Sequence, residues 1–155
     1  MGSLLADREE RMVNEGAGFW DASALVPLCI HETRTAQARS CQRKSRQAVW
    51  WGSLVEVYSA INRLRRVKEI SGLDQANALR RLWQMSSAWR EILPDERVRD
   101  LAVQSLDKYS LRADSLQLAA SPVWCAERPS NRTVLCADQR LAKAASAAGF
   151  SVIEF

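Results

Sequence analysis

Histidine is almost missing from this chain of 155 residues, where His31 is the only one. Nor does any Cys-x-x-Cys pair occur among Cys29, Cys41, Cys125 and Cys136. Together these absences remove the usual zinc spacings. Cys29 and His31 make one soft-metal pair on paper, but no second pair joins them, and the four cysteines read as reduced, mostly buried thiols. A serine triad would have to use His31, and there is no Gly-x-Ser-x-Gly elbow, so nucleophilic catalysis is not expected. No apolar run is long enough to span a bilayer. The start, Met1-Gly2-Ser3-Leu4-Leu5-Ala6, turns charged at once and lacks the basic-then-apolar layout of a secretory signal. A soluble, cytoplasmic protein with no membrane partner is the expectation. A strong charge bias is missing too: 22 Lys and Arg stand against 18 Asp and Glu. That excess suits a partner with phosphates and equally an ordinary soluble surface.

What is present is an ordinary globular composition, 47% apolar and 26% charged, in a chain of single-domain length. Residues 1–14 read as a polar tail and residues 15–155 as one domain. The stretch on which the domain turns is Ala17 to Val26. A short apolar run, Ala17 to Trp20, ends abruptly in Asp21, with Ser23 beside it and a helix starting next. In open α/β sheets ligand sites form at the carboxyl ends of strands, so Asp21 stands where chemistry is usually done.

The rest of the chain alternates in the same way. Pro27 is expected in a first helical turn, where its missing N–H costs nothing. Thr33 to Gln47 is a polar helical segment carrying Arg43, Lys44 and Arg46. Ala48 to Trp51 reads as a second buried strand. Ser53 with Glu56 then matches a capping box that opens a helix ending in Arg63, Arg65 and Arg66. Leu73 to about Ile92 reads as one helix, with Leu79, Leu82, Trp83 and Trp89 on its apolar stripe. Pro94-Asp95-Glu96 opens the next. Ser110 is the expected N-cap of a helix that holds Asp114 in its first turn, and Pro122 to Arg132 is expected as loop. Thr133 to Ala137 reads as a strand that also ends in an acid, Asp138. A small-residue helix stopping at Gly149 and a strand over Phe150 to Ile153 complete the chain. Strands alternating with helices imply a central, mainly parallel sheet between helical layers.

Asp21 and Asp138 therefore occupy equivalent strand-end positions, while Glu56 and Asp114 open helices that face the same edge. Four carboxylates in one pocket need a cation to stay ionised. Oxygen ligands without histidine or thiolate select Mg²⁺ or Mn²⁺, whose use in phosphodiester hydrolysis is general. Glu56 also has a plain reading as a capping acid, and the basic residues have one as solvated helix ends.

Four segments carry a resemblance: Phe19-Trp20-Asp21-Ala22-Ser23-Ala24-Leu25-Val26 with Glu32 soon after, Ser53-Leu54-Val55-Glu56-Val57-Tyr58-Ser59-Ala60, Leu111-Arg112-Ala113-Asp114-Ser115-Leu116-Gln117-Leu118-Ala119, and Cys136-Ala137-Asp138-Gln139-Arg140-Leu141. In this order the chain, over roughly residues 17–154, resembles PIN-domain ribonucleases, particularly the VapC-like toxins of bacterial toxin–antitoxin pairs. The resemblance implies a Rossmann-like three-layer α/β/α domain and an endoribonuclease dependent on Mg²⁺ or Mn²⁺. It also implies an RNA substrate, a cognate antitoxin and a homodimer. Asp21, Glu56, Asp114 and Asp138 fall on the family's acidic quartet and Ser23 on its small hydroxyl position. Gln139 adds no further acid after Asp138, Cys136 stands where a threonine is common, and Trp50 and Trp51 are bulkier than the family pattern. Either Arg63, Arg65 and Arg66 or Arg43, Lys44 and Arg46 are expected to bind RNA phosphates. The competing readings are a catalytically inactive RNA-binding or assembly module of the same fold and an aspartyl-phosphate hydrolase. Against the latter, Ser23 stands where those hydrolases place a second acid.

Overall fold

Short apolar runs form the five strands β1 (Ala17–Trp20), β2 (Arg46–Trp50), β3 (Arg90–Ile92), β4 (Thr133–Cys136) and β5 (Ser151–Glu154). The computed structural model describes residues 16–109, 111–112, 115–125 and 128–155. All neighbouring strands pair in parallel, in the order β3-β2-β1-β4-β5. Between them run α1 (Ala22–Cys29), α2 (Thr35–Lys44), α3 (Ser53–Arg66), α4 (Gly72–Ser86), α5 (Glu96–Lys108), α6 (Ser115–Trp124) and α7 (Gln139–Ala147). No helix among the described residues is long and apolar enough to cross a membrane.

The two-residue period of the strands sorts the core into two halves. Phe19, Ala48, Trp50, Val134 and Cys136 face one side, where they pack with Val98 and Ala102 of α5, Leu118 and Trp124 of α6, and Leu141 of α7. Trp20, Val49 and Leu135 face the other, with Leu25 of α1, Ala38 of α2, Val57 and Ile61 of α3, and Ala78 and Leu82 of α4. The result is a three-layer Rossmann-like α/β/α fold. Gly18 lets β1 pack closely against β4: a Cβ there would stand 2.5 Å from Leu135 Cδ1 and force that side chain to shift. Chain direction across the sheet reverses between β1 and β4, so the topological switch point lies between their carboxyl ends.

Several expectations need correction. The helix expected to run to Ile92 ends at Ser86, and Arg90–Ile92 is a strand on β2. Trp89 continues the helical stripe by spacing, but the open edge of β2 offers ladder hydrogen bonds, and its indole instead donates to Gln47 Oε1 at 2.9 Å. The capping box at Ser53 does not form. Gly52 is the N-cap without a side-chain bond, so Ser53 is the first helical residue. The capping box lies at Ser71, whose Oγ accepts from Asp74 N at 3.1 Å while Asp74 Oδ2 accepts from Ser71 N at 3.0 Å. Trp51 lies just past β2 and is 51% exposed rather than buried.

Pro27 sits deeper in its helix than expected, and Pro122 lies in a helix rather than in a loop. Pro27 is in the second turn of α1. Helix α6 continues through Pro122. The carbonyl of Leu118, which Pro122 cannot serve, accepts instead from Ser121 Oγ at 2.7 Å. Helix α6 begins at Ser115, and Leu111 and Arg112 ahead of it are not helical. The expected cap Ser110 lies outside the described residues. Helix α7 closes as expected on Gly149, at φ +98°, with Phe150 N donating to Ala145 O at 3.1 Å and Gly149 N to Ser146 O at 3.0 Å.

Candidate active site

A parallel sheet puts the carboxyl ends of β1, β2 and β4 at one edge, and the candidate acids follow directly from those ends. Asp21 caps α1 in extended conformation, and its Oδ2 accepts from Ser23 N at 3.0 Å. The Ser23 hydroxyl donates to the same oxygen. In turn that hydroxyl accepts from Ala137 N at 2.8 Å. One side chain therefore ties the acid after β1 to the turn after β4. Asp21 N also donates to Leu135 O at 2.9 Å, extending the β1–β4 ladder by one residue. Asp138 caps α7, with its Oδ1 accepting from Arg140 N at 2.8 Å and Leu141 N at 3.2 Å.

Burial pushes the carboxyl of Asp21 above its ordinary range. The Ser23 bonds oppose that rise, and the neighbouring charge of Asp138 adds to it. Among the described residues no lysine or arginine forms an ion pair with Asp21 or Asp138. A buried acid beside a second acid, with no cation partner, is an arrangement that a bound cation relieves.

The donor chemistry points to a hard cation. Carboxylate and hydroxyl oxygens dominate this edge. Cys136 ends β4, but burial, with a smaller push from Asp21, raises its thiol to about 12, so it stays protonated and offers no thiolate.

Glu56 lies one turn into α3, and its Oε2 accepts from Gln117 Nε2 at 2.9 Å. Gln117 is 1% exposed on α6 and also meets the fully buried Ser53, with Nε2 at 3.4 Å from Ser53 Oγ. Sequence reasoning assigned Gln117 no role. The available signal was a lone amide inside the apolar run Leu116 to Ala120, three residues after Asp114.

The structure therefore brings Asp21, Ser23 and Asp138 together and ties Glu56 to the start of α6. Among the described residues no three His, Cys, Asp or Glu gather as one metal-ligand group. Asp114 lies outside the described residues. Neither basic cluster adjoins the acids. Arg63, Arg65 and Arg66 are exposed, at the far end of α3 from its start beside the acids. At 1.5 Å per residue they lie roughly 10–15 Å along the helix from Glu56. Arg43, Lys44 and Arg46 stand where β2 begins, at the amino edge of the sheet. No protein-family model matches the chain, and no curated protein matches it.

Proposed function

We propose that this protein is a Mg²⁺- or Mn²⁺-dependent endoribonuclease of PIN type, acting in the cytoplasm as the toxin of a toxin–antitoxin pair and working as a homodimer. The observation that carries the reading is the proximity of Asp21 and Asp138 at the switch point, where Ser23 ties Asp21 to the turn before Asp138 and neither acid has an ion-pair partner among the described residues. Asp21 and Asp138, with Asp114, would hold the ion. Bound there, such an ion lowers the pKa of water and stabilises the phosphoryl oxygens of an in-line displacement.

The chain's own groups have separate tasks. Ser23 receives the Ala137 N–H and so aims its proton at Asp21 Oδ2, leaving Oδ1 free of that bond. The α7 amides hold Oδ1 of Asp138 and leave Oδ2 free of theirs. Gln117 anchors one oxygen of Glu56, the residue placed to orient or deprotonate the attacking water. Arg63, Arg65 and Arg66 take strand phosphates beyond the scissile bond.

The test is cleavage of structured RNAs by purified protein with Mg²⁺, with Mn²⁺ and with EDTA. Cleavage is expected only with a divalent ion, and Asp21→Asn should lower it by about a hundredfold or more while leaving the fold intact. Undiminished cleavage by that variant would refute the assignment.

A further inference from the structure

The amino edge of the sheet, opposite the acids, carries a cluster of cations. A cavity of about 400 Å³ is lined by Arg43 and Lys44 from the end of α2, by Ser45, and by Arg46 and Gln47 from the start of β2. The three cations are exposed. Among the described residues none of them has an ion-pair or side-chain hydrogen-bond partner, and no described acid lines the cavity. The end of α2 accounts for Arg43 and Lys44 as charges that suit its dipole. It does not account for Arg46, which lies beyond the helix.

Gln47 supplies an independent observation. It is 8% exposed, and its Oε1 accepts from Trp89 Nε1 at 2.9 Å. That bond sets the orientation of the amide and makes Nε2 its remaining donor, yet Nε2 is buried with no hydrogen-bond partner. Ser45 Oγ, in the same lining, is also buried and unpartnered. A buried amide donor without a partner is costly, and natural proteins rarely retain one without a use.

We propose that this cavity is a phosphate-binding site in which Arg43, Lys44 and Arg46 neutralise the anion and the Gln47 amide donates to it. Three unpaired cations, a hydroxyl and an amide donor match a tetrahedral oxyanion, which accepts several charge-assisted hydrogen bonds at once. The phosphate belongs either to an RNA backbone or to a free anion such as a mononucleotide. The five residues of β2 separate this site from the acid edge by about 13 Å. It therefore binds without taking part in bond cleavage.

The test uses the full-length protein in EDTA, isotopically labelled for the Gln47 side-chain amide and the Trp89 indole N–H. These resonances are assigned with Gln47→Leu and Trp89→Phe. Inorganic phosphate, adenosine monophosphate and a short single-stranded oligoribonucleotide are titrated separately. Both resonances should shift and saturate, and the exposed double substitution Arg43→Gln/Arg46→Gln should weaken binding about tenfold or more. A response to all three ligands supports a free-anion site, and a response to the oligoribonucleotide alone supports an RNA backbone contact. No shift with any ligand, or equal affinity in the double variant, overturns the site. Since the experiment reads binding without a divalent ion, a protein that passes it but cleaves no RNA overturns the nuclease reading alone.

Discussion

The Ser23 hydroxyl ties Asp21 to the backbone of Ala137, the residue before Asp138, and the Gln117 amide donates to Glu56. The strand-end positions of Asp21 and Asp138 were legible in the sequence because an acid after a short apolar run marks a strand end. Gln117 was not. Its partner Glu56 lies 61 residues away, and one amide in an apolar helix carries no periodic signal. Replacing Gln117 by Leu should cut the cleavage rate and also lower the melting temperature, since it strands the buried hydroxyl of Ser53. Adding Ser53→Ala should restore the melting temperature but not the rate. Recovery of both together would show that Gln117 acts only through packing.

The charge state of Asp21 yields a pH prediction. Its folded-state pKa is raised, chiefly by burial. The stability it contributes is therefore complete below the unfolded value and is lost as pH rises through the folded one. Asn stays neutral throughout. In EDTA near pH 7, Asp21→Asn should melt higher than the wild type, and the gap should close as the buffer is acidified. Melting curves at several pH values check this, and a gap that widens on acidification would contradict it.

Among the elements, the existence of most helices was read correctly, but the long stripe from Leu73 was carried past the helix end at Ser86 into the short edge strand β3. Helix α5 opens at the expected Pro94-Asp95-Glu96, where Asp95 is the cap and its Oδ1 accepts from Val98 N at 2.8 Å. Strand β3 has three residues, too few for a two-residue period to be seen, and it exists because β2 leaves an edge to pair with. The two serines that precede helices show the same limit. Ser53 and Ser71 both have an acid three residues on, but only Ser71 closes the box, because Ser53 is drawn into the core by Gln117. Accordingly Ser71→Ala should cost about 1 kcal/mol through loss of the α4 cap. For a chain of this length that lowers the melting temperature by about 2–4 °C. An unchanged melting curve would mean that α4 is held by its packing on α3 alone.

For the whole molecule, the decisive property is the order of the strands. Because β1 and β4 are neighbours on which the two halves of the sheet diverge, their terminal acids meet although 117 positions separate them in the chain. The alternation of strands and helices made a parallel sheet legible, and the placement of the acids at one edge followed from it. The separation of both basic clusters from that edge was not legible, since it depends on which way α3 runs and where β2 begins. Among the described residues charge thus divides the molecule: Asp21 and Asp138 lack ion-pair partners at the carboxyl edge, and Arg43, Lys44 and Arg46 lack them at the amino edge.

The most direct measurement of the central claim is a calorimetric titration of Mn²⁺ into metal-free protein, repeated with Asp138→Asn. Asn retains the ability to cap α7, so the substitution removes charge and leaves the fold. The account predicts saturable binding by the wild type, weakened about tenfold or more in the variant at an unchanged melting temperature. Indistinguishable isotherms for the two proteins would contradict it.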